Sequence, residues 1–211
     1  GRFPELRKGF GFVGEAHERN AALKPVAREH YLDNLVKLNP SFSKEQLEPY
    51  ADKQTAKLIR QLSVGKDTYA QSWSPTNAPF NAFSGVTVNR EHGKDSAKFI
   101  ANLAKDVKSK FHPIGCDTIR SVLDHEIGHQ LDKLLRIGEL PEVQRIFDSR
   151  TKDQITESLS RYAWKNRNSN RYSEMIAEAW AEYCNNTEPR EIAKQIGETI
   201  EREYMKKFGG A

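Results

Sequence analysis

Residues 121–135 read SVLDHEIGHQLDKLL, and this stretch decides how the chain is interpreted. It holds no proline, is rich in Leu and Ile, and has Gly138 as an end signal, so it predicts a helix over residues 118–137. At 3.6 residues per turn, Ile119, Val122, Leu123, Ile127, Leu131 and Leu134 form one apolar stripe, expected to face the core. His125 and His129, four residues apart, stack one above the other on a face roughly opposite that stripe. Glu126 directly follows the first histidine, and Asp132 comes three residues after the second.

Two imidazoles one turn apart are what a zinc ion takes from a single helix, with nitrogen-to-metal distances of ~2.0–2.1 Å. In an H-E-x-x-H arrangement the glutamate sits beside the zinc-bound water and can take its proton. The expectation is therefore Zn2+ held by His125 and His129, with Glu126 as general base. One protein ligand is missing from that set. A metzincin supplies it as a third histidine in H-E-x-x-H-x-x-G-x-x-H, but here Asp132 stands at the glycine position and Leu135 at the histidine position. That class is excluded, and a carboxylate from a separate helix is expected instead. The segment SEMIAEAWAEY, residues 173–183, presents acids without interleaved basic residues. Glu174, Glu178 and Glu182 recur there at four-residue intervals, beside a face of Met175, Ile176, Ala179, Trp180 and Tyr183. Like charges at this spacing repel by roughly a few tenths of a kcal/mol per pair, which a divalent ion would relieve. For Glu182 a solvated acidic face is the simpler reading. Periodicity alone does not choose between Glu174 and Glu178.

The rest of the chain sets the frame. Two helices are expected at residues 15–38 and 43–62, the second opened by a capping box of Ser43 and Gln46, with Pro25 and Pro49 breaking or kinking them. A Ser-, Pro- and Asn-rich loop with room for one short strand follows, and GVTVNRE, residues 85–91, is the best strand, stopped by Gly93. Further helices are expected at 95–111, 141–148 (started by Pro141), 154–163, 173–185 and 189–207, the last stopped by a Gly-Gly pair. The polar run KNRNSNR, residues 165–171, is expected as a loop. The composition shift near residue 63 divides the chain into an N-terminal helical extension, 1–62, and a main domain, 63–211.

With 211 residues, 37% hydrophobic and 29% charged, the chain can bury a real core beneath a polar surface. No apolar run is long enough to span a bilayer, and residues 1–20 hold no apolar segment suited to a signal peptide, so no membrane partner is expected and the location stays open. The net charge of +4 is mild, and Lys and Arg are mixed with acids along the helices, which argues against a nucleic-acid footprint. Cys116 and Cys184 are expected as buried thiols.

The sequence HEIGHQLD, followed by LSRYA and then SEMIAEAWAEY, resembles the gluzincin-type catalytic domain of anthrax lethal factor and related toxin- and phage-encoded metallopeptidase domains. The resemblance covers residues 83–207. It implies an α+β, mainly helical zincin-like fold with a small sheet, and a zinc-dependent endopeptidase acting on protein or peptide. It makes Glu174 the third zinc ligand. Glu178, one turn on, would hold a ligand imidazole in orientation, a supporting role also expected of Asp132. Tyr162 in LSRYA corresponds to the tyrosine that steadies the oxyanion, with Tyr172 as its rival because the intervening loop WKNRNSNRY is longer here. FSGVTVNRE would match the edge strand along which zincins lay a peptide. Residues 1–62 have no counterpart in the resemblance and suit part of a larger phage or effector polypeptide. The competing expectation is a non-catalytic phage structural or assembly protein that keeps a zinc-binding zincin fold, with a closed site completed by Asp132, His112 or a cysteine.

Overall fold

The computed structural model describes residues 3–165 and 171–209. In chain order its elements begin with α1 (Pro4–Lys8), β1 (Phe12–Glu15), α2 (Ala16–Leu38), α3 (Lys44–Gln61), β2 (Ala70–Trp73), β3 (Gly85–Val88) and α4 (Arg90–Gly93). They continue with α5 (Ser96–Lys108), α6 (Ile119–Leu135), α7 (Pro141–Asp148), α8 (Lys152–Ser158), α9 (Ser173–Asn185) and α10 (Glu191–Phe208). The class is α+β, mostly helical with one three-stranded mixed sheet. Two compact units result. Residues 9–91 make one, and residues 3–8 with the described residues from His92 onward make the other.

In the unit of residues 9–91, the helix pair α2 and α3 packs through Leu32, Leu47 and Ala51. A second cluster joins Leu23 and Ala27 of α2 to Leu62, with Leu58, Trp73, Phe80 and Phe83 around it. The expected capping box opens α3: Ser43 N donates to Gln46 Oε1 at 2.8 Å, and Ser43 Oγ accepts from Gln46 N. Both helices run on through Pro25 and Pro49 instead of breaking there. Arg19 on α2 is fully buried and donates to the Leu62 carbonyl and to Gln71 of β2, each at 2.8 Å. Its burial lowers its pKa to about 10.

The strand order is β1-β3-β2, with β1 parallel and β2 antiparallel to β3. The Ser/Pro/Asn-rich stretch thus holds its short strand, β2. Gly85 allows β1 to come close, since a Cβ there would lie 2.0 Å from Phe12 O. Two expectations are corrected by this sheet. The strand at residues 85–91 ends at Val88, and it is the central strand and not an edge, so both of its sides are already paired and no peptide can be added to it. The division at residues 62 and 63 also fails, because it separates β1 from β3 and the cluster of Leu23, Ala27 and Leu62 from Trp73, Phe80 and Phe83.

In the other unit, residues 3–8 pack against the C-terminal helices. The Phe3 ring lies tilted 5.5 Å from Trp180 and edge-on 4.7 Å from Tyr204, and Glu5 N donates to the Tyr204 hydroxyl at 2.9 Å. The helices lie close to their expected positions, with one exception. The helix expected at 154–163 is α8, capped by Thr151, and it ends at Ser158 because Leu159 leaves the helical region (φ −147, ψ −82). A single 3-10 turn, Tyr162–Trp164, follows. The centre of the polar run, residues 166–170, and Gly210 of the terminal Gly-Gly lie outside the described residues. Cys116, buried, and Cys184, half-buried, form no disulfide. Among the described residues no helix is long and apolar enough to cross a membrane.

Candidate metal centre

Thr118 caps α6, its hydroxyl accepting from Ser121 N at 3.1 Å, and Arg136 ends the helix in the left-handed conformation (φ 60). The left-handed residue is thus Arg136 and not the expected Gly138. The Gly138 N–H instead donates to Asp132 Oδ1 at 2.7 Å. α9 lies directly on α6 at Gly128, where a Cβ would come 2.7 Å from Ala177 Cα and 3.3 Å from Trp180 Cβ. The side of α6 that carries the histidines is therefore the covered side. Of the predicted apolar stripe only Leu131 is fully buried; Val122, Leu123, Ile127 and Leu134 are half-buried and Ile119 is exposed. Gly128→Val is expected to force the two helices apart and to cost about 1–3 kcal/mol or more, as over-packing does. A fall in the midpoint of denaturant unfolding checks this, and an unchanged midpoint would contradict the close crossing.

The crossing brings α9 carboxylates onto the α6 imidazoles. His125 Nε2 and His129 Nε2 lie 3.2 Å apart, and Glu174 Oε2 is 3.4 Å from each. A tetrahedral ion bound at ~2.0–2.1 Å requires ligands about 3.3–3.4 Å apart, so these three atoms outline one face of that tetrahedron. Glu174 Oε2 is buried and has no hydrogen-bond partner among the described residues. Burial raises the Glu174 pKa, but the two imidazoles beside it outweigh this and hold it well below the usual carboxylate range. Burial likewise disfavours a charged His125, yet Glu174, Glu178 and Glu126 prevail and lift its pKa well above the usual value. A cation is electrostatically at home here.

The far edge of each imidazole is also held. His125 Nδ1 lies 2.8 Å from Glu178 Oε1, and His129 Nδ1 lies 2.9 Å from Ser173 Oγ. Such contacts would fix which nitrogen a bound metal meets. Glu178 is 1% exposed, and it also accepts from Ser160 Oγ at 2.7 Å and faces His112 Nδ1. Burial opposes its ionisation, and His112 and His125 reverse the effect, leaving it below the usual range.

Asp132 Oδ1 accepts from the Gly138 N–H and fastens the turn after α6, while the Nδ1 atoms of His125 and His129 face Glu178 and Ser173. Glu182, expected in solvent, is fully buried and paired with Arg190, whose Nη2 lies 2.6 Å from Oε2 and whose backbone N–H donates to Oε1 at 2.8 Å. Arg190 also donates from Nη1 to Glu157 O at 3.0 Å, so this pair braces the end of α8. Among the described residues the converging ligand set is His125, His129 and Glu174, with neither Asp132, His112 nor a cysteine in it. A second group, Glu15, His17 and Glu18, lies on the surface at the start of α2.

Glu126 is buried on α6, directly after His125. The Tyr162 ring is 5.7 Å from the His125 ring. Tyr172, by contrast, packs at 5.6 Å against Phe147, and its hydroxyl donates to Asp148 Oδ2 at 3.0 Å. The structure thus brings Tyr162 to the histidines and directs Tyr172 to α7. Ser160, Ser173 and the use made of His112 were not foreseen, because single serines and a lone histidine carry no spacing signal. Comparison with protein-family models, with curated proteins and with solved structures finds no match to this chain.

Proposed function

We propose that the protein is a zinc-dependent endopeptidase with a zincin-like fold of the gluzincin kind. The observation that supports this reading most strongly is the triangle of His125, His129 and Glu174 ligand atoms, with edges of 3.2 and 3.4 Å, the buried acid Glu126 directly following His125 on α6. Zinc held by those residues would supply a Lewis acid that lowers the pKa of water towards ~7. Glu126 takes the proton from the attacking water and returns it to the leaving nitrogen. Glu178 and Ser173 keep His125 and His129 turned inward by their Nδ1 edges. The Tyr162 hydroxyl donates to the substrate carbonyl oxygen as it becomes anionic. Metal analysis of the purified protein, joined to a peptide-library cleavage assay, tests the proposal: about one zinc per chain and zinc-dependent cleavage are expected. The absence of both zinc and cleavage would overturn it.

Two further results are expected. Tyr162→Phe should lower kcat by roughly two orders of magnitude with KM little changed, whereas Tyr172→Phe should match the parent. Steady-state kinetics of both variants decide, and the reverse pattern would move the role to Tyr172. Zinc affinity should also depend on pH. Because its carboxylate neighbours raise the pKa of His125, protons compete with zinc for that imidazole. Affinity therefore weakens as pH falls, by about tenfold per unit where one proton is exchanged. Competition titrations at pH 6 and pH 8 give the trend, and an affinity independent of pH would contradict the raised pKa of His125.

A further inference from the structure

Glu178 has more neighbours than an acceptor for one imidazole requires. His125 Nδ1 lies 2.8 Å from Oε1, Ser160 Oγ donates to Oε2 at 2.7 Å, and His112 Nδ1 spans both oxygens at 3.1 and 3.3 Å. Neighbouring contacts tie His112 into the same assembly. The chain that delivers it is laced to the chain that delivers Ser160 and Tyr162, with Arg161 N donating to Lys110 O at 2.7 Å and Tyr162 N to Phe111 O at 3.1 Å. Ser160 Oγ accepts from Ala163 N at 3.0 Å, and the His112 ring lies 5.3 Å from the Tyr162 ring.

We infer that His112 is a positioning residue of the metal centre: its Nδ1–H locks the carboxylate that orients His125, and its ring backs Tyr162. This rests on the reading of His125, His129 and Glu174 as a zinc site. An ionised carboxylate only accepts, so His112 presents Nδ1–H to it, while His125 Nδ1 stands 2.8 Å from Oε1. Ser160 fastens only Oε2, and without His112 the carboxylate can turn about that anchor. Oε1 then no longer stands fixed opposite His125, and the ligand loses its preset orientation.

The test compares zinc affinity of the full chain and its His112→Ala, His112→Asn and His112→Gln variants by competition with a chromophoric chelator. An Asn amide can place an N–H near the position of Nδ1, whereas the longer Gln amide places it near Nε2. Ala and Gln are expected to lose about tenfold or more in affinity, as removal of an outer hydrogen-bond partner does, while Asn stays within about threefold of the parent. Equal affinity in all four proteins, or equal loss in Asn and Gln, overturns the inference, the latter by showing that the ring only fills space. If the parent itself binds no zinc, the metal-site reading falls and the inference with it, an outcome distinct from a parent that binds and variants that match it. If the Ala and Gln variants do not fold, nitrogen chemical shifts of the parent's imidazoles decide: Nδ1 of His112 protonated is expected, and Nδ1 unprotonated overturns the assignment.

Discussion

Glu174→Ala is expected to lose zinc outright. The metal would be left with two imidazoles from one helix, and no other ligand atom among the described residues converges on them. Glu178→Ala should behave differently, keeping part of its metal with an affinity lower by roughly 10–100-fold. The contrast follows from distances. Glu174 Oε2 stands 3.4 Å from both Nε2 atoms, on the inner edge of the imidazoles, whereas Glu178 meets His125 from behind, 2.8 Å from Nδ1. Competition titration of both variants separates the roles. Full zinc occupancy in Glu174→Ala, with loss in Glu178→Ala, would exchange the two glutamates while leaving a metal site in place.

Glu126→Gln should keep zinc and stop hydrolysis. The amide preserves the shape of the side chain but cannot accept a proton, so turnover should fall by about 10²–10⁴-fold, the usual contribution of a positioned general base. Because Glu126 stands outside the converging ligand set, the metal content of the variant should equal that of the parent. Substantial cleavage by zinc-loaded Glu126→Gln would falsify the catalytic reading and leave α6 as a metal staple in a structural or assembly protein.

The sequence made the helix with two histidines visible because its information is local: four-residue spacing puts both rings on one face wherever the helix lies. The acids of α9 were visible for the same reason, but their separate roles were not. Glu174, Glu178 and Glu182 look alike in a helical repeat, and only packing makes one a ligand neighbour, one an imidazole brace and one the buried partner of Arg190. The apolar stripe of α6 misled, because burial follows the closest backbone approach, and Gly128 against Ala177 sets that on the histidine side. β1 escaped notice because FVGE is four residues long and gains its partner from residues 85–88, far along the chain. Its pairing then moved the boundary expected near residue 63.

Phe3 and Glu5 meet Trp180 and Tyr204, and the Glu5–Tyr204 hydrogen bond spans 199 positions. During synthesis a ribosome releases residues 3–8 long before Tyr204 exists, and the whole of residues 9–91 can fold while those few residues wait. The unit that carries the histidines is therefore sealed late, by a segment made early. Loop closure over such a separation is slow compared with helix formation, so a nascent chain passes through a stage in which the apolar sides of Trp180 and Tyr204 have no cover from Phe3.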